Sequence, residues 1–151
     1  MSLKVRDVMV TNIITVEAIA TARTAAELMN RHDIGCLIVV NEDKPIGIVT
    51  ERDMIKRVLL QLRDPRRSRI RHIMSKPLIT TSPDTDLRDA INLMNERRIK
   101  KLPVIEDERL LGLLSITDIV RSLAYFEHVV GSLCARCQYG KQQSNVPLQT
   151  Q

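Results

Sequence analysis

The stretch GIVTERD, residues 47–53, returns as GLLSITD at residues 112–118. Both copies read glycine, two aliphatics, a hydroxyl residue, two variable positions and aspartate. The second lies 65 residues after the first, and the same offset aligns far more than these seven positions. VRDVMVTNIIT from Val5 falls on IRHIMSKPLIT from Ile70. RTAAELMN from Arg23 falls on RDAINLMN from Arg88, and IGCLIVV from Ile34 on IKKLPVI from Ile99. No gap is needed from Val5 to Ile55. Identities include Met9/Met74, Thr15/Thr80, Asn30/Asn95, Gly47/Gly112 and Asp53/Asp118. The shared residues are of many types, so compositional bias does not produce the match. The chain reads as two copies of one supersecondary unit.

Each copy has the same coarse outline. A short helical turn ends near Met9 or Met74. An extended stretch follows, NIITV or PLITT. The next segment places Ala22, Ala25, Ala26 and Met29, or Leu87, Ala90, Ile91 and Met94, at i, i+3, i+4 and i+7. That spacing is one buried face of a helix. Two apolar runs joined by a polar turn come next, CLIVV-NEDKP-IGIV and LPVI-EDERL-LGLL, and these read as hairpins. A second helix starts at Thr50 or Ser115. The expected class is α+β, β-α-β-β-α written twice. A unit of this size buries too little surface to stand alone. Two units packed face to face about a pseudo-twofold axis are therefore expected. The divisions are residues 1–66 for the first repeat and a basic linker, 67–124 for the second repeat, and 125–151 for a partly disordered tail.

Composition narrows the function classes. With 44% apolar residues the chain is globular rather than disordered. No apolar run approaches the roughly 18 residues of a membrane span. The start, MSLKVRDVM, lacks the apolar stretch of a signal peptide. A cytoplasmic location is expected. Three cysteines are too few for a disulfide framework, and Cys36, inside an aliphatic run, reads as a buried thiol. The net charge of +5 is local: between Arg52 and His72 eight Arg and Lys face only Asp53 and Asp64. A basic linker can attract nucleic acid, but no aromatic residues stand beside it to stack on bases. Nucleic-acid association remains the alternative reading of this segment. Cys134 and Cys137, in CARC, form half of a zinc site or a redox pair, the alternative reading of the tail. His32, His72 and His128 are scattered, and no Ser or Cys has a recognisable base partner. No catalytic residues are expected, and no cofactor is required.

Thr50 with Asp53, and Ser115 with Asp118, carry the spacing of a capping box. The hydroxyl accepts an amide bond, and the acid reaches back. On spacing alone the pairs are caps.

The tandem resembles a pair of CBS domains (the cystathionine β-synthase repeat), together a Bateman module. The residues that carry the resemblance are VRDVM and IRHIM, KKLPVIEDERLLG, and the two Gly-x-x-(Thr/Ser)-x-x-Asp stretches, across roughly residues 5–123. The resemblance implies a stand-alone, non-enzymatic regulatory module. It implies an adenine nucleotide or related adenosyl ligand between the repeats, action on a separate regulated protein, and a disc-like homodimer. It puts Asp53 and Asp118 on ribose hydroxyls, where a carboxylate accepts two donors well. Thr50, Ser115 and the amides of the helix starts would then face phosphate. An Asp turned back as a cap is less free for ribose, so both readings stay open. The resemblance also assigns Thr11 and Ile13, and Ser75, Lys76 and Leu78, to two base pockets; strand start and core is the other reading. It implies phosphate contacts for Arg97, Arg98 and Lys101, where four cations (with Lys100) can form charge-assisted bonds. A solvated helix end is the alternative. The first repeat departs here, with His32, Asp33, Gly35 and Cys36 in their place. Two unequal clefts are expected.

Overall fold

The computed structural model describes residues 2–138. The first long helix of each repeat begins where the sequence supplies a side-chain acceptor. Thr21 Oγ1 accepts the Thr24 amide at 3.2 Å to start α1, Ala22–His32. Asp86 Oδ1 accepts the Arg88 amide at 3.0 Å to start α4, Leu87–Arg97. Both helices end on a non-glycine residue in the left-handed conformation, Asp33 (φ 51°) and Arg98 (φ 53°).

The hairpins form as expected. Strand β2, Cys36–Asn41, pairs antiparallel with β3, Lys44–Thr50, and β4, Lys101–Glu106, pairs with β5, Arg109–Ser115. The turns are tighter than the polar runs suggest. Only Glu42 and Asp43 (φ 49° and 62°), and Asp107 and Glu108 (φ 48° and 61°), leave the strands. Two successive positive φ values match the right-handed twist of a hairpin. A register irregularity falls between Val39 and Val40 and, 65 residues on, between Val104 and Ile105.

The first strand is the element the repeats do not share. In the first, β1, Thr15–Glu17, pairs parallel with β2. In the second, PLITT yields a single parallel bridge, Thr81 to Val104. The second unit is thus α-β-β-α with a one-residue remnant of its leading strand. After β3 the chain forms a short α2, Glu51–Met54, and continues as a π-helical turn, Ile55–Leu59. After β5 it forms α5, Ile116–Gln138. Of the tail expected from residue 125 to be partly disordered, the part up to Gln138 is helical, and residues 139–151 lie outside the described residues. Among the described residues no helix is long and apolar enough to cross a membrane.

The leading turns change places. Val5 and Val8, at the start of the chain, are buried with Leu87, Ala90, Met94, Leu102 and Leu114 of the second repeat. Ile70, Ile73 and Met74, around α3 (Ile70–Ile73), are buried with Val16, Ala25, Leu37 and Val49 of the first. The hydrogen bonds obey the 65-residue offset. The Val5 amide donates to the Thr85 carbonyl and the Ile70 amide to the Ala20 carbonyl, both at 2.9 Å. The Arg6 amide donates to Pro83 (3.0 Å) and the Arg71 amide to Ala18 (2.9 Å). Farther on, Val10 bridges to Leu113 on the edge of β5, and Ser75 bridges to Ile48 on the edge of β3. These reciprocal pairs are the pseudo-twofold relation written in main-chain bonds.

This crossing explains the glycine that opens the repeated stretch. A Cβ on Gly47 would stand 2.7 Å from Met74 Sδ and 2.9 Å from the Ser75 carbonyl. On Gly112 it would stand 2.5 Å from Met9 Sδ and 3.0 Å from the Val10 carbonyl. Glycine is needed because another backbone lies against the strand.

Candidate functional site

The pseudo-twofold gives two related aspartate motifs, Asp118 and Asp53, and a cleft lies beside Asp118. The Asp118 cleft is a concavity of ≈ 280 Å³ between the repeats. Segments of both repeats line it. The crossing N-terminal segment gives Val10, Asn12 and Ile13. The turn from α1 into β2 gives Asp33, Gly35 and Cys36. The start of α5 gives Thr117, Asp118 and Arg121, and Lys101 and Ser115 complete the wall. Ser115 is 3% exposed. Its hydroxyl accepts the Asp118 amide at 3.1 Å and donates to Asp118 Oδ2. Asp118 is partly buried. The arrangement offers an aliphatic wall, a carboxylate at a helix start, and two cations in one recess. Such a recess suits a ligand with an apolar base, hydroxyls and an anionic end. Burial pushes the Cys36 thiol up, with nearby Lys101 opposing, so the thiol stays protonated.

The Asp53 side is built differently. Asp53 is 9% exposed. Its Oδ2 accepts from the Thr50 amide (3.0 Å) and the Thr50 hydroxyl (3.1 Å). The Thr50 hydroxyl in turn accepts the Asp53 amide at 3.2 Å, closing a capping box. Ser75 Oγ donates to Asp53 Oδ1 at 3.4 Å, and Arg57 Nη1 stands 3.6 Å from the same oxygen. That guanidinium also donates to the Ile73 and Met74 carbonyls, at 2.7 and 2.8 Å. It satisfies the end of α3, where carbonyls have no helical partner. The 65-residue offset carries Arg57 onto Ser122 and Ser75 onto Val10. Asp118 therefore has no counterpart of the Arg57 guanidinium or of the Ser75 hydroxyl. The two aspartates share a motif and differ in their neighbours.

Of the residues singled out from sequence, Ile13, Lys101, Ser115 and Asp118 are brought together in the open cleft. Thr50, Asp53 and Ser75 form the closed network. Thr11 lines a separate polar hollow with Thr15, Asp43 and Arg109 as well as Ile13. Lys76 is exposed and Leu78 partly buried, on the crossing segment after Ser75. Arg97 and Arg98 are exposed at the end of α4. The position matching Arg98 in the open cleft is Asp33. Sequence reasoning missed Arg57, Asn12, Thr117 and Arg121. The break at Arg57/Ser122 in an otherwise regular repeat was the available signal.

The basic linker is partly spent on internal contacts. Arg57 is turned onto the Ile73 and Met74 carbonyls, Arg66 pairs with Asp64 at 3.1 Å, and Arg69 donates to the Ile19 carbonyl at 2.9 Å. Among the described residues no cluster of three or more His, Cys, Asp or Glu could hold a metal. Cys134 and Cys137 fall in α5, but their side chains lie outside the described residues.

The CBS domain family matches residues 5–60 and 70–125. The chain is a tandem CBS-domain protein. An uncharacterized protein of Methanopyrus kandleri is 37% identical over 126 residues, covering 82% of this chain and 64% of its own length. The chain thus spans just under two thirds of that relative. The CBS domain-containing protein YhcV of Bacillus subtilis is 33% identical, covering 76% of this chain and 81% of YhcV. A hexameric CBS-CP12 protein from bloom-forming cyanobacteria is similar in structure. The TM-score is 0.74 at 34% identity, covering 80% of this CBS pair and 67% of that chain. CBS pairs are in general regulatory, ligand-binding modules, and this chain carries two such domains.

Proposed function

We propose that this CBS pair senses an adenosine-containing nucleotide in the Asp118 cleft and regulates a separate protein, rather than catalysing a reaction. The observation that carries the reading is the open recess between repeats, where Asp118 and Ser115 sit at a helix start opposite Ile13. Adenine fits against Val10 and Ile13. Ribose hydroxyls donate to Asp118, whose single helix-start contact leaves acceptor capacity. Lys101 and Arg121 meet the anionic end. Because the cleft is lined by residues of both repeats, a ligand there bridges them. It shifts their packing only as far as it prefers one arrangement over another.

The same reading assigns Asp53 mainly to structure, since both its oxygens are engaged within the protein. For self-association, Ile55, Leu59 and Leu62, exposed by 50%, 66% and 93%, form an apolar face beside α1. An exposed patch of this kind suits a second copy, and the cyanobacterial relative is described as hexameric.

The test is a melting-temperature panel with AMP, ADP, ATP, S-adenosylmethionine and NADH. Ligand at about 100 times its Kd stabilises by ~2.7 kcal/mol. A shift that disappears in Asp118→Ala and survives in Asp53→Ala supports the reading. No shift with any adenosine compound defeats it.

A further inference from the structure

The ionisable groups lining the Asp118 cleft differ sharply from their counterparts in the repeat. The open cleft is lined by Asp33 and Asp118 against Lys101 and Arg121, a formal sum of zero. Behind its Gly35 wall stands another carboxylate: a Cβ there would lie 3.4 Å from Glu51 Oε2. The 65-residue offset turns Asp33 into Arg98, Gly35 into Lys100, Thr117 into Arg52 and Arg121 into Lys56. Lys101 and Cys36 exchange with each other, and Asp118 becomes Asp53. The counterpart set therefore holds five cations and one carboxylate, a sum of +4. The difference centres on the residue closing the first helix of each repeat. Asp33 and Arg98 have the same left-handed backbone, φ 51° and ψ 49° against φ 53° and ψ 41°. They present opposite charges from the same place.

We propose that Asp33 is a charge selector in the Asp118 cleft, making it a site for an adenosine ligand with no more than one phosphate. This rests on the adenosine reading above and adds the ligand class. Lys101 and Arg121 suffice for one phosphate. A longer phosphate chain in a recess of ≈ 280 Å³ brings further anionic oxygens towards Asp33, with no third lining cation to offset them. Asp33 and Arg121 are themselves exposed, so this repulsion is screened by salt and is largest at low ionic strength.

The backbone permits a clean test. Asn tolerates the left-handed conformation, so Asp33→Asn removes the charge and keeps the helix end. Asp33→Arg installs a side chain that the other repeat already carries in this conformation. The full chain is titrated calorimetrically with AMP, and bound AMP is then displaced with ATP, both without divalent metal. Asp118→Ala assigns the AMP site. In the wild-type protein ATP should displace AMP about tenfold more weakly than AMP itself binds, ~1.4 kcal/mol. Asp33→Asn should reduce the ratio to about threefold or less, and Asp33→Arg should invert it. A ratio unchanged in both variants overturns the selector while leaving adenosine binding intact. AMP binding that persists in Asp118→Ala also overturns it. Failure of every adenosine compound to bind defeats the underlying reading as well.

Discussion

Asp53 and Asp118 occupy equivalent positions, so each is the other's control, and their removal should be unequally damaging. Replacing either by alanine removes the carboxylate that receives the Thr50 or Ser115 hydroxyl. Loss of such a helix-start contact costs about 1 kcal/mol. Asp53→Ala loses more. The Thr50 amide is left without its 3.0 Å acceptor, Ser75 loses a weak partner at 3.4 Å, and Arg57 loses its neighbouring carboxylate. A net hydrogen bond contributes about 0.5–1.5 kcal/mol. Because Arg57 is 42% exposed, its ion pair adds at most a few tenths, in the surface range. Asp53→Ala should therefore exceed Asp118→Ala by about 1–2 kcal/mol. Urea unfolding of the ligand-free protein, with m-values compared to establish a common transition, measures the difference. Equal losses, or a larger loss in Asp118→Ala, would refute the assignment of Asp53 to structure and of Asp118 to the open site.

Four further outcomes are expected. Gly112→Ala should destabilise the protein and displace Val10 from the cleft wall, visible as weaker AMP binding; Gly47→Ala should destabilise without that binding loss. Val5→Ala, though in the first repeat's sequence, should perturb amide exchange chiefly in β4 and β5, at a cost of about 1–3 kcal/mol, because Val5 is buried in the other core. Leu59→Glu should leave the fold intact and lower the mass measured by light scattering if the apolar face is the self-association surface. In a Cys134→Ser/Cys137→Ser background, Cys36 should resist thiol reagents at pH 8 until the chain is unfolded. Burial raises its thiol above the ordinary value of 9.0, so the reactive thiolate is scarce there.

Much of the fold was legible because the repeat is regular. The 65-residue offset located both hairpins, both amphipathic helices and the two capping motifs. The exchange of leading turns was not legible. Val5 and Ile70 are aliphatic residues in near-identical contexts, and periodicity does not say which of two similar cores each will join. PLITT resembles NIITV, yet only NIITV makes a strand, because strand formation depends on the partner edge as well as on propensity. At the site, the opposite charges of Arg98 and Asp33 at equivalent positions were readable in the repeat. The assignment of each to a cleft required the crossing to be seen. Arg57 was counted only as part of a basic segment. Charge counting does not distinguish a solvated guanidinium from one turned inward onto carbonyl oxygens.

The exchanged turns also set the order in which this chain can mature. The first core includes Ile70 and Ile73, so during synthesis the stretch up to about residue 60 forms a layer with one side still open. That side closes only when the linker and the second repeat's opening turn have been made. The second core, by contrast, waits for nothing new at its amino-terminal side, because Val5 and Val8 were synthesised first and need only be held ready. One repeat made alone would present a groove shaped for a turn it lacks, and carry a turn whose groove is missing. Two such fragments would complete each other reciprocally, giving a swapped dimer with the outline of the intact chain.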